Sequence, residues 1–414
     1  MRIAPGLPVL LGAVLVAGCL APADQTDATD LDRPLGAVAS AYYDVSIDQL
    51  VGERSVRHLG GGPTSGSLRF HPLADTETHL RELNETYPGL VDLQPLATTR
   101  EGRTVWQVIV TDESVPAAGK VAPVLDGAHH GNEYAGGELM LYTLDLLLQN
   151  HATNATVRSL LRDVEIHAVP VVNPDGWEAA TRYNGFGVNL NRNYDVDWGN
   201  PLGTSNPVMG TAGAVAGRPV GGVALAAENC GEAPFSEPET AALRDLFASL
   251  GDRAAVYLTG HTATHAVIAP WAAFQQPAEL PGEHSAVLET ELQWVRDHTE
   301  YQAGKAQWGN LSAGLPYAAS GSSMDYFYTT LGKPAFTIEV EYEVTSATSP
   351  DYPMRLTQPF EGLRYWMEAS VPLPLHLLLN ARSLSQWEQP TMGLELPASM
   401  EHPELRPATP QAHL

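Results

Sequence analysis

Apolar positions along this chain fall into short runs separated by turn residues, and their period changes from one run to the next. Val121 to Leu125 is a continuous apolar run, as expected of a strand buried on both faces. It is followed by Tyr134 to Leu148, where Leu139, Tyr142, Leu146 and Leu147 recur at helical spacing. Upstream, Leu80, Leu83 and Tyr87 predict an earlier helix that Asp75 caps and Pro88-Gly89 stops. Val91 to Leu96 and Val105 to Thr111 read as strands, joined through the turn Arg100-Glu-Gly-Arg103. Further strands are predicted at Val164 to Val172, Ala254 to Thr259 and Ala335 to Val340. Further helices are predicted at Pro238 to Leu250, behind a Ser236 cap, and at Gly282 to Gly304. Asn173-Pro-Asp-Gly176 carries turn chemistry, and the Gly-, Ala-, Pro- and Asn-rich residues 199–234 predict a long loop. Short strands alternating with helices predict an α/β fold, a single domain whose mixed, mostly parallel twisted sheet is flanked by helices.

The two ends break this pattern. Arg2 precedes an uncharged run from Leu7 to Ala17 and then Val16-Ala-Gly-Cys19. The run is too short to span a bilayer and has the layout of a signal peptide. Small residues before a cysteine resemble the lipobox of bacterial and archaeal lipoproteins, which implies lipidation of Cys19; simple secretion with cleavage nearby is the alternative. Residues 1–18 are thus expected to be a signal peptide with lipobox and 19–68 a flexible acidic tether with Asp24, Asp27, Asp30 and Asp32. Residues 69–382 are expected to form the folded domain, and 383–414, with Pro390, Pro397, Pro403, Pro407 and Pro410, a disordered tail. The expected location is extracytoplasmic, either secreted or anchored to the outer face of the membrane. Only Cys230 remains after Cys19, so no disulfide can form within the mature chain.

Charge narrows the partners. The formal net charge is -25, with three lysines against 20 arginines. Such a surface repels nucleic acid and anionic lipid heads, and it suits a high-salt setting in which screening suppresses self-repulsion.

Candidate chemistry sits between the central strand and its helix. His130 and Glu133, three residues apart at a strand-to-helix corner, offer two of the three protein ligands a catalytic zinc usually takes. A second His-x-x-Glu, His79-Leu-Arg-Glu82, falls on the first helix and reads as two surface groups. His261 follows the strand Ala254 to Thr259, where a strand end can present a side chain to a crevice. Its neighbour His265, and His129 before His130, are alternative donors. No Gly-x-Ser-x-Gly elbow, His-Glu-x-x-His or phosphate-cradling Gly-rich loop is present, which argues against a serine hydrolase or nucleotide enzyme.

Seven motifs follow one another along the chain: His130-Gly-Asn-Glu133, Asn173-Pro-Asp-Gly176, Gly187-Val-Asn-Leu-Asn-Arg-Asn193, Phe235-Ser-Glu-Pro-Glu-Thr240, His261-Thr-Ala-Thr-His265, Tyr317-Ala-Ala-Ser-Gly-Ser-Ser-Met-Asp325 and Phe336-Thr-Ile-Glu339. In this order they resemble the zinc carboxypeptidase family, the metallocarboxypeptidases related to carboxypeptidase A. The resemblance implies one Zn²⁺ held by His130, Glu133 and His261, with Glu339 as general base and Arg182 steadying the oxyanion. It implies that Asn191, Arg192 and Tyr317 grip the free carboxylate of a peptide or protein C-terminus. Met324 falls where the family tunes its specificity pocket, and an apolar residue there implies a preference for apolar or aromatic C-terminal side chains.

Where many members have an Asp that orients a zinc-binding histidine, this chain has Asn189, an amide that raises ligand basicity less. The expected activity is removal of single C-terminal residues by an exported, monomeric zinc carboxypeptidase. Two alternatives stand beside it: an amidase on cell-wall-type peptides, and an inactive surface protein of the same fold that binds peptide or metal. Glu339 discriminates, because inactive relatives typically lack that glutamate.

Overall fold

Strand β3, Ala122–Gly127, is buried at every position, as its unbroken apolar run requires. The computed structural model describes residues 70–199, 229–262, 265–273, 280–306, 319–340 and 363–386. Around β3 lie β1 (Val91–Thr98), β2 (Thr104–Val110), β4 (Ile166–Val169), β5 (Ala254–His261), β6 (Ala266–Ala269), β7 (Gln302–Lys305) and β8 (Ala335–Glu339). They form one eight-stranded sheet in the order β1-β2-β4-β3-β5-β8-β6-β7. Its centre, β4-β3-β5-β8, is parallel. The β1-β2, β2-β4 and β6-β8 pairs are antiparallel, and β6-β7 is parallel. The expected mixed, mostly parallel sheet with flanking helices is therefore present.

The helices are α1 (Leu73–Thr86), α2 (Tyr134–His151), α3 (Ala155–Asp163), α4 (Pro174–Ala179), α5 (Pro238–Leu250), α6 (Gly282–His298), α7 (Ser323–Leu331), α8 (Leu363–Ser370), α9 (Pro372–Leu379) and α10 (Ala381–Ser385). Helix α2 is buried from Tyr134 through Leu148. A helix enclosed on all sides must satisfy any polar group it carries. Its Glu138 and Asp145 do so with His71, at 2.8 Å, and His79, at 3.1 Å.

Several local expectations are corrected. His79 is buried on Asp145 and only Glu82 of that His-x-x-Glu is exposed, because a partner 66 residues away draws the imidazole inward. Asp75 lies in the first turn of α1 and Pro72 is its N-cap. Glu237, not Ser236, occupies the N-cap position of α5, and its side chain makes no capping hydrogen bond. Asn173-Pro-Asp-Gly176 opens α4, with the Asn173 side chain accepting from the Gly176 N–H. The helix predicted to Gly304 stops at His298, and β7 follows. Among the described residues the last helix runs through Ser385, past the expected boundary at 382. The expected signal peptide, Cys19, tether and most of the tail lie outside the described residues, as do residues 200–228 of the predicted loop.

Candidate metal centre and substrate-binding site

Three neighbouring parallel strands deliver the site. Past the end of β3, the chain turns through Ala128 to Asn132 and enters α2, which puts His130 and Glu133 at the corner. Strand β5 ends on His261 and β8 on Glu339, and these two residues are register partners. Register partners on parallel strands point to the same face, and all three strands end on one side of the sheet. His130, Glu133, His261 and Glu339 are all buried.

Close backbone approach makes the convergence possible. A Cβ built on Gly136, in the first turn of α2, would lie 2.2 Å from the Gly260 carbonyl oxygen. Without side chains at these two positions, the start of α2 packs directly on the end of β5. Gly131 meets Gly176 as tightly, a Cβ there lying 2.0 Å from the Gly176 carbonyl carbon.

Among the described residues, only His130, Glu133 and His261 gather three candidate metal donors, with ligand atoms within 4.8 Å of one another. His130 Nδ1 is 2.7 Å from Glu133 Oε1, His261 Nδ1 is 2.8 Å from Glu133 Oε2, and the two Nδ1 atoms are 3.2 Å apart. Two nitrogens bound tetrahedrally to one zinc lie about 3.3 Å apart. His130 Nε2 faces the Asn189 carbonyl oxygen at 3.1 Å, an arrangement that puts the ring proton on Nε2 and leaves a lone pair on Nδ1. That lone pair and the Glu133 carboxylate face each other, a repulsive pair unless a cation joins them. Here the Arg182 guanidinium supplies the charge, with Nη1 2.9 Å from His130 Nδ1 and 3.1 Å from Glu133 Oε1. Two imidazoles and a carboxylate, spaced for one ion, fit Zn²⁺, which takes three protein ligands of these types at catalytic sites.

Electrostatics agree. Burial, then the Arg182 charge, pull the His130 imidazole down to about 3, so it stays neutral and ligand-competent. Burial opposes ionisation of Glu133, but the surrounding His130 and His261 rings, the latter hydrogen-bonded to it, outweigh burial and hold the carboxylate well below its usual range. Burial lowers His261, but the hydrogen bond and charge of Glu133 and then the charge of Glu339 outweigh it, for a net rise.

The alternative donors are turned elsewhere. His129 places Nε2 2.8 Å from the Tyr194 hydroxyl, and its ring stacks on His261 with centroids 5.8 Å apart. His265 packs edge-on to Tyr301 and Trp366.

Beside the triad, a 3-10 turn at Leu190–Arg192 carries the predicted carboxylate-binding pair. Asn191 Oδ1 accepts from Ser323 N–H at 2.9 Å, its Nδ2 lies 3.2 Å from His261 Nε2, and Arg192 Nη1 donates to the Asn191 carbonyl at 2.7 Å. Ser323, at the start of α7, is a site residue that sequence reasoning missed. Met324, next to it, is buried and accepts a 3.4 Å contact from Thr337 Oγ1. Asp325 accepts from the Ala272 and Ala273 N–H groups, and burial lifts its carboxyl to about 7. Tyr317 lies outside the described residues.

Comparison with known proteins agrees with this geometry. Bovine carboxypeptidase O is 25% identical over 274 residues, covering 62% of this chain and 66% of the relative. Mouse carboxypeptidase A6 is 24% identical over 322 residues, covering 72% and 68%. The chain thus spans about two thirds of the length of these curated relatives. The structure of carboxypeptidase A from Helicoverpa armigera superposes with a TM-score of 0.58 at 20% identity, covering 81% of this chain and 80% of that one. The sequence pattern that defines zinc carboxypeptidases matches residues 76–352. Family pattern, fold and donor set coincide on the same residues, and the chain belongs to the zinc carboxypeptidase family.

Proposed function

We propose that this protein is an exported metallocarboxypeptidase that hydrolyses the last peptide bond of peptides and proteins. The observation that carries the reading is the pairing of Glu339 with His261 across β8 and β5, which puts a buried carboxylate beside the His-Glu-His group. Zinc held by His130, Glu133 and His261 would polarise the scissile carbonyl and lower the pKa of a bound water. Glu339 takes the proton from the attacking water and passes it to the leaving amine. Arg182, whose side chain is 30% exposed and lies 2.9 Å from His130 Nδ1, would steady the developing oxyanion with its guanidinium.

Arg192 and Asn191 receive the substrate carboxylate, and Tyr317 closes over it. Arg192 suits the task because its fork matches two carboxylate oxygens at once. Met324 gives the pocket an apolar wall, and the neighbouring Asp325 already has both oxygens occupied by backbone N–H groups. A basic side chain would find no free carboxylate at these two positions, which favours apolar or aromatic C-terminal residues.

Incubation with peptides ending in Phe, Leu, Arg and Glu, read by mass spectrometry, tests the assignment. Stepwise loss of single C-terminal residues, abolished by a chelator and fastest after Phe or Leu, is expected. Internal cleavage, or no cleavage of any plain α-carboxylate peptide, would favour the amidase or inactive readings, and fastest cleavage after Arg would overturn the pocket assignment. Export rests on Arg2, the Leu7 to Ala17 run and Cys19. Fatty-acid labelling that disappears in Cys19→Ser supports anchoring, whereas labelling that persists contradicts it.

A further inference from the structure

Behind the candidate metal centre runs a string of buried polar side chains that the reaction as described does not use. Tyr257 donates its hydroxyl to Asp126 Oδ2 at 2.6 Å, Asp126 Oδ1 lies 3.6 Å from His129 Nδ1, and His129 Nε2 lies 2.8 Å from the Tyr194 hydroxyl. All four residues are fully enclosed. Buried polar contacts such as those of Tyr257 with Asp126 and of His129 with Tyr194 restrain the side chains that make them. The ends of the string are anchored on separate elements. Asp126 is on β3, Tyr257 is on β5, and Tyr194 follows the Leu190–Arg192 turn that carries Asn191 and Arg192. The His129 carbonyl is held as well, accepting from Asn173 Nδ2 at 3.1 Å.

The middle of the string faces the site. The His129 ring lies nearly parallel to His261, at 20°, while His130 meets the same ring edge-on at a centroid distance of 4.7 Å. His261 is thus bounded by His129 on a ring face, by Glu133 at Nδ1 and by Asn191 at Nε2. An imidazole has two degrees of side-chain freedom, and a flat plate on its face restrains the torsion that in-plane hydrogen bonds control least.

We propose that His129 is a positioning residue: held by the Tyr194 hydroxyl at Nε2 and facing the Thr259 hydroxyl, at 3.5 Å, and Asp126 at Nδ1, it serves as a plate that sets the ring plane of His261 and so the direction of its Nδ1 lone pair. The proposal rests on the assignment of His261 as a zinc ligand. It differs from the support given by Asn189, which acts along the ring edge of the other histidine.

Three variants test it in the full-length protein. His129→Leu removes the plate, His129→Phe restores a ring without the clamp, and Tyr194→Phe removes one clamp contact alone. Zinc affinity is measured by competition with a chelating dye, ligand geometry by the visible spectrum of the Co²⁺-loaded protein, and folding by circular dichroism of the metal-free protein. Loss of an outer contact to a metal ligand typically weakens affinity by about 10- to 100-fold. His129→Leu is expected to fall in that range, His129→Phe to lose less, and Tyr194→Phe to lose least, each with a shifted Co²⁺ band. Wild-type affinity and spectrum in a folded His129→Leu would overturn the proposal. Should that variant fail to fold, an unchanged Tyr194→Phe would overturn it instead. His261→Ala separates the two claims: zinc binding undiminished there sinks the ligand assignment itself, whereas an unaffected His129→Leu sinks only the plate.

Discussion

Glu339 and Asn189 are the residues on which the chemistry can be divided most cleanly. Replacing Glu339 with Gln keeps its shape and removes the base, so kcat on a peptide ending in Phe should fall by about 10²- to 10⁴-fold. Bound zinc should remain at one per chain; activity within a few-fold of wild type would remove Glu339 from the mechanism. Asn189 already touches His130 Nε2 at 3.1 Å. Asn189→Asp would place a carboxylate there, and zinc affinity is expected to rise roughly tenfold, measured by dye competition. An unchanged or weaker affinity would show that the amide is sufficient. The metal ligands and Asn189 are legible in the sequence because each sits in a short motif that resembles the zinc carboxypeptidase pattern, whereas His-x-x-Glu by itself also occurs at His79. Ser323 was not, since a serine at a helix start looks the same whether or not a distant Asn191 accepts from it.

Elements had to approach closely for those residues to meet, and two features of α2 can be tested. Gly136→Ala would drive a methyl to 2.2 Å from the Gly260 carbonyl oxygen, forcing α2 away from β5. Overpacking of this kind costs about 1–3 kcal/mol, so thermal stability should drop, and zinc affinity should drop with it because Glu133 and His261 separate. A destabilised variant with full zinc affinity would contradict the link between helix approach and ligand geometry. The second feature is the His71-Glu138 pair. Burial lowers the His71 imidazole, but the charge and hydrogen bond of Glu138, with Asp145 and Asp75 behind it, raise it by more in sum. A histidine raised in the folded state stabilises it fully below its ordinary value of about 6.5, and that contribution fades as pH climbs through the raised value. The difference in melting temperature between wild type and His71→Gln should therefore be widest in mild acid and narrow at alkaline pH. A pH-independent difference would rule the charge out. Local pattern located α2 and the central strands, because they are long or strongly apolar, and left short elements such as α3 and β6 unassigned. It missed β7, whose Gln302-Ala-Gly-Lys305 is half exposed and has no apolar alternation. It misplaced His79 because its partner Asp145 lies across the fold rather than along the chain.

At the scale of the whole molecule, a net charge of -25 with only three lysines predicts self-repulsion that salt relieves. Melting temperature and activity should both rise between low and molar salt, and a protein most stable near zero salt would contradict this. The order of the sheet is what unites the account. Strands β3, β5 and β8 are far apart in sequence but adjacent and parallel, so the chain's distant chemistry collects at one end of its central strands. The motifs foretold which residues would meet; the strand order explains how. Anomalous diffraction from crystals of the zinc-loaded protein, collected at the zinc edge, tests this most directly. The account predicts one strong peak per chain, bounded by His130 Nδ1, the Glu133 carboxylate and His261 Nδ1, with Glu339 facing the open side. A peak centred on His129 or His265, or none at the triad, would contradict it.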